Sequence, residues 1–166
     1  MLAAACAALA DAVAEGLCEG WGIASWNPRP LLPLLGPGHP PGPAALMTRC
    51  GLLVDAATLS VIDELADALG VGPSGRWGMS PFGGDTTLDV WRTFDARTML
   101  RGAPDVPALH TAFRVAYELP TVSHIAVGTS SARHLRELVG AAGLPVDPET
   151  VSRYRELIAE RAAARS

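Results

Sequence analysis

The stretch His124-Ile125-Ala126-Val127-Gly128-Thr129-Ser130-Ser131-Ala132-Arg133-His134-Leu135-Arg136-Glu137 decides the fold. Its first four residues read as a short strand. Gly128 to Ser131 is a turn of small and hydroxyl residues, the chemistry of a helix N-terminus. From about Ala132 to Ala142 the chain reads as a helix. A short strand passing through a tight turn into a helix is half of a βαβ unit. The question is then whether the same unit recurs upstream.

It does recur. Gly22-Ile23-Ala24-Ser25-Trp26 reads as a short buried strand, and the apolar run Ala45 to Val54 contains another. Arg76-Trp77-Gly78-Met79-Ser80 reads as a third. Asp55 is placed to cap a helix to about Leu69, with Leu59, Ile62, Leu65 and Leu69 on its buried face. Leu2, Cys6, Leu9, Val13 and Leu17 recur at helical spacing before the first strand. Asn27 to Pro43 is rich in proline and glycine and has room only for a helical turn around Leu31 to Leu35. Pro81 to Gly102 reads as an irregular loop or lid, followed by a helix from Pro107 to Leu119 with Leu109, Phe113 and Ala116 on one face. Asp147-Pro148-Glu149 opens the last helix, with Val151, Tyr154, Leu157 and Ile158 inward. Short apolar strands separated by helices predict an α/β fold with a parallel sheet and right-handed crossovers. Residues 1–166 make a single domain, and four strands are half of a (β/α)8 TIM barrel, which takes about 250 residues.

The composition is globular, with 49% hydrophobic and 18% charged residues and a mean hydropathy of +0.23. Net charge is −4, and no basic stripe interleaves with aromatics, so nucleic acid is not an expected partner. The sequence contains no lysine: all 13 basic residues are arginine. Arginine binds anions but holds its proton too tightly to shuttle it. Cys6, Cys18 and Cys50 are odd in number and form no CxxC, which argues against a disulfide framework or a zinc site. The N-terminal stretch has no basic region and carries Asp11 and Glu15, unlike a signal peptide, and no apolar run is long enough to span a bilayer. A cytoplasmic setting is expected.

Three segments together resemble the aldo/keto reductase family, in the right order and over nearly the whole chain. Gly22-Ile23-Ala24-Ser25-Trp26-Asn27-Pro28 is similar to that family's fifth strand and turn. Met79-Ser80-Pro81-Phe82-Gly83 is similar to its seventh-strand segment, and His124 to Glu137 to its eighth strand and helix. The resemblance implies the C-terminal half of a TIM barrel and an ancestry in NADPH-dependent carbonyl reduction. It also implies that the Asp, Tyr, Lys and His that catalyse the family's reaction have no matching positions here. The cofactor-binding positions that the resemblance transfers are Ser25, Ser80, Phe82, Gly128, Thr129, Ser130, His134 and Glu137. Thr129 fits a phosphate-binding hydroxyl and Glu137 the acid that meets the adenine. His134 takes an arginine's place, and Leu138 an asparagine's. On the nicotinamide side the family's Ser-Asn pair becomes Ala24-Ser25, Met47 replaces a glutamine, and Met79 replaces a stacking aromatic. The phosphate end is thus partly kept and the nicotinamide end largely lost.

Read as chemistry, Gly128 to Ser131 is an anion site or simply a helix cap. Arg49, within an apolar strand, is placed to grip a carboxylate or phosphate, or to pair with a nearby acid. Asp85 and Asp89 follow the third strand on the side where barrel active sites form, as general acid/base candidates or as solvated loop acids. His110 and His124 are expected to be structural, and Cys50 an inert hydrophobe. Trp26, Trp77 and Trp91 flank one face and either line an apolar pocket or pack the core.

Half a barrel leaves two strand edges and an open core, so the expected form is a homodimer, such as a two-fold eight-stranded barrel, or a complex with a complementary half-barrel chain. The function expected first is a small-molecule-binding or partner-binding half barrel that retains a phosphate or NADP(H) turn and does not reduce carbonyls alone. A non-redox cyclase, isomerase or lyase, and an oxidoreductase completed by another chain, are the alternatives.

Overall fold

The computed structural model describes residues 2–35 and 42–165. The middle of the Pro/Gly-rich segment, positions 36–41, lies outside the described residues. Helix α1 spans Leu2–Ala14, and strand β1 Gly22–Ser25. A 3-10 turn at Leu32–Leu34 precedes strand β2, Ala45–Arg49. Helix α2 (Ala56–Ala68) leads to strand β3 (Arg76–Met79), and the short helix α3 (Val90–Thr93) to α4 (Ala108–Val115). Strand β4 is His124–Ala126, and helices α5 (Ala132–Ala142) and α6 (Pro148–Ala163) complete the order. The strands form one sheet in the order β1-β2-β3-β4, with every pair parallel.

Register and alternation sort the strand side chains onto two faces. Ile23, Leu46 and Arg76 share one row, and Ser25, Thr48, Gly78 and Ile125 the next. This face is covered by helices: Leu46 packs with Leu65, Ala66, Leu69 and Val71, and Arg76 reaches Asp67 of α2 at 2.7 Å. The other face carries the rows Ala24-Met47-Trp77-His124 and Arg49-Met79-Ala126. Among the described residues no element covers it, and its side chains are half-buried or exposed.

A second core lies outside the sheet, where Leu52, Val54, Leu59 and Ile62 meet Trp91, Met99, Ala112, Val115 and Val151. Each large side chain so buried contributes about 1.5–3 kcal/mol. The capping readings hold. Asp55 accepts the Thr58 amide at 2.9 Å, and Asp147 precedes Pro148 at the head of α6.

Four expectations need correction. β1 is a half-exposed edge strand rather than a buried one, because among the described residues no strand pairs beyond it and no layer covers its inner side. α1 buries only Cys6, and Leu17, beyond its end, is 75% exposed. Leu157 is 42% exposed, so the inner face of α6 is carried by Val151, Tyr154 and Ile158. Residues 81–102 are not a free lid. Trp91, Ala96 and Met99 sink into the core, and Leu100 bridges Val146 just before α6.

Candidate functional site

The C-terminal ends of β3 and β4 frame a cavity of about 220 Å³. Ser80, Phe82 and Thr86 line it from the segment after β3, and Val127, Gly128 and Leu138 from the segment after β4. This is the end of a parallel sheet at which ligands bind in α/β folds. Ser80 turns the chain out of β3 with φ +55°, in the left-handed region that non-glycine residues rarely adopt. Its carbonyl accepts the Gly83 amide at 3.0 Å, which closes the turn and sets Phe82 into the wall. Phe82 is held from behind by Trp91, edge-on at 6.3 Å.

The first turn of α5 stands beside Gly128. Ser131 is the cap: its hydroxyl accepts the His134 amide at 3.3 Å, and its own amide donates to Thr129 Oγ1 at 3.1 Å. Helix geometry leaves the Ala132 and Arg133 amides as unsatisfied donors at the positive end of the helix dipole. The helix cap and the anion-binding turn are therefore compatible. Ser130 is exposed at this end. His134 and Glu137 lie farther along α5, and Glu137 pairs with Arg133 at 3.8 Å.

Of the residues expected from sequence, Ser80, Phe82 and Gly128 line one cavity, and Thr129 and Ser130 adjoin it in the chain. Ser25 does not join them. Register places it on the helix-covered face, two strands away, and its hydroxyl donates to the Asn27 carbonyl at 2.9 Å. Thr86 was missed, whereas Leu138, named from the resemblance only as the residue in an asparagine's place, does line the cavity. Thr86 could have been found only from the fold of the loop after β3.

Arg49 ends β2 on the uncovered face. Its Nε donates to the Trp26 carbonyl at 3.0 Å, its guanidinium lies 5.4 Å from the Trp26 ring centroid, and Asp55 is 3.9 Å away. The ion-pair alternative is thus present in weak form. Burial pushes the Asp55 carboxyl up, but hydrogen bonds from Thr58 and the charges of Arg29 and Arg49 outweigh it and hold it below the usual range. Asp85 accepts the hydroxyl and amide of Thr87, both at 2.7 Å, which lowers its pKa and keeps it ionised. That suits an anchor of the loop better than a proton donor. Asp89 is exposed and pairs with Arg92 at 2.6 Å. Burial pushes the Cys50 thiol up to about 12, which makes it inert near neutrality. His124 stacks on Trp77 at 4.7 Å on the open sheet face, and its Nδ1 meets the Ser123 hydroxyl at 2.8 Å. The three tryptophans do not share a face: Trp77 is on the open side, Trp26 is 53% exposed beyond β1, and Trp91 is in the outer core. The described residues contain no cluster of His, Cys, Asp or Glu fit for a metal, and no helix among them is long and apolar enough to cross a membrane.

No protein-family model matches the chain, and no curated protein sequence does. Solved structures do. The apo form of an aldo-keto reductase from Bacillus halodurans superimposes with a TM-score of 0.62 at 19% identity, over 91% of this chain and 54% of that one. The holo form of the same protein gives a TM-score of 0.62 at 17% identity, with the same coverage. The chain therefore has the fold of an aldo-keto reductase over about half the length of the solved structures it matches: four parallel strands with flanking helices, half of a TIM barrel.

Proposed function

We propose that the chain is a small-molecule-binding half barrel whose ligand carries a phosphate, with NADP(H) as the first candidate. The observation that carries this reading is the cavity that joins Ser80 and Phe82 to Gly128 beside the first turn of α5. The sequence resemblance points to the same two segments. The phosphate would sit against the Ala132 and Arg133 amides, with the Thr129 and Ser130 hydroxyls at hand. Carbonyl reduction is not a function of this chain alone: its 166 residues contain no lysine for the resemblance's catalytic set, and Met47 and Met79 stand where nicotinamide contacts would be.

Calorimetry with NADPH and NADP tests the reading. Both are expected to bind with micromolar affinity, and NADH, without the 2′-phosphate, about tenfold more weakly. Ser130→Glu sets a carboxylate where the phosphate would lie and should weaken NADPH at least about tenfold without harming a helix N-terminus that favours negative charge. Absence of heat at saturating NADPH would sink the nucleotide reading.

The uncovered sheet face supports a partner. Ala24, Met47, Trp77, Met79 and Ala126 are apolar, β1 and β4 are open edges, and Leu135 and Val139 are exposed on α5. A second copy related by a two-fold axis along the barrel would set β4 against the partner's β1, parallel in both seams. Light scattering at micromolar concentration should then give twice the 17.3 kDa chain mass. A monomer would leave a complementary half-barrel chain as the cover.

A further inference from the structure

A second cavity, of about 300 Å³, lies between the loop that follows β2 and the last turns of α6. It shares no residue with the cavity at Gly128. Its floor is apolar, built from Leu52, Leu53, Val54 and Ile158. Tyr154 adds its ring, since its hydroxyl is spent on the Leu52 carbonyl at 2.7 Å. Its rim carries Arg161 and Arg165.

Arg161, in the last turn of α6, and Arg165, just past its end, differ from the arginines earlier in that helix. Arg153 is paired with Glu156 at 3.0 Å, and Arg155 with Asp63 at 2.6 Å. Among the described residues Arg161 and Arg165 have no ion pair. Asp55, the one carboxylate in the lining, is already engaged by Arg29 at 2.7 Å and by Thr58. Both guanidiniums border the same cavity, where their like charges repel each other. The helix dipole favours cations at this end, but it does not require both to overhang one apolar cavity.

We propose that this cavity binds a small amphiphilic anion: a carboxylate or phosphate monoester on a short hydrocarbon chain. The two guanidinium forks take the headgroup, a geometry suited to planar or tetrahedral oxyanions. The tail lies on Leu52, Leu53 and Val54. The volume is at the lower end of ligand-sized cavities, which fits a short hydrocarbon chain.

Calorimetry with octanoate and octyl phosphate tests this on the intact chain. Both are expected to bind in the sub-millimolar range. Neutral octanamide and inorganic phosphate should bind at least about tenfold more weakly, because each offers only half of the recognition. The double variant Arg161→Gln, Arg165→Gln should weaken octanoate by at least about tenfold with its melting temperature unchanged, since both side chains are exposed. Leu53→Asp, also at an exposed position, should weaken octanoate through the tail. Octanoate binding that is absent at millimolar concentration or equal in the double variant would overturn the proposal. So would inorganic phosphate binding as tightly as octyl phosphate.

Discussion

Gly51→Ala should destabilise the fold by about 3 kcal/mol or more, an effect at the upper end for a single methyl group. Gly51 follows β2 with φ +101°, a conformation that costs any L side chain. The added Cβ would also press on the carbonyl oxygen of Pro81. Neither backbone can yield easily. The Gly51 amide donates to the Leu119 carbonyl at 2.6 Å, and Ala116 Cβ lies on the far side. The Cys50 amide is fixed to the Met79 carbonyl at 3.0 Å. Urea unfolding should show a lower midpoint with an unchanged slope. Because Pro81 lies between Ser80 and Phe82 in the cavity wall, NADPH affinity should fall as well. A variant as stable as the parent would mean that the ends of β2 and β3 do not pack as closely as described.

Trp91→Ala should cost about 3–5 kcal/mol, the range for removing a buried large aromatic. Trp91 is 6% exposed, and its Nε1 donates to the Asp85 carbonyl at 3.0 Å. It buttresses Phe82 from behind, so its loss should also loosen the wall that holds Thr86. Trp91→Phe is the informative companion: it keeps most of the packing and gives up the hydrogen bond, worth about 1 kcal/mol. The expected order of urea midpoints is parent, Trp91→Phe, then Trp91→Ala. Equal midpoints for all three would restore the picture of residues 81–102 as a loose lid.

The capped helices were the most legible part of the chain. Asp55, Ser131 and Asp147 each cap a helix in the structure, because capping is a contact between near neighbours. The apolar rhythm of Leu59, Ile62, Leu65 and Leu69 marked a face that is in fact buried. Rhythm misled at Leu2 to Leu17, since periodicity shows which residues share a face but not whether anything covers it. The segment after Pro81 was illegible for the opposite reason: Trp91, Ala96 and Met99 lie on short turns with no sustained period.

The sequence by itself determined the elements, their order and the parallel sheet, and it marked the two segments, Ser80 to Phe82 and Gly128 to Ser131, that come to adjoin. These follow from local spacing and from the few ways short apolar strands and helices can alternate. Only the tertiary structure decided which side each strand residue faces. Register put Ser25 on the helix side, away from the cavity, and left Trp77 and His124 on the open face. A shift of one residue in a strand reverses its faces, and nothing in four short strands of mixed pattern sets that choice locally. The same holds for the cavity under Arg161 and Arg165, whose floor and rim come from segments about a hundred residues apart in the chain.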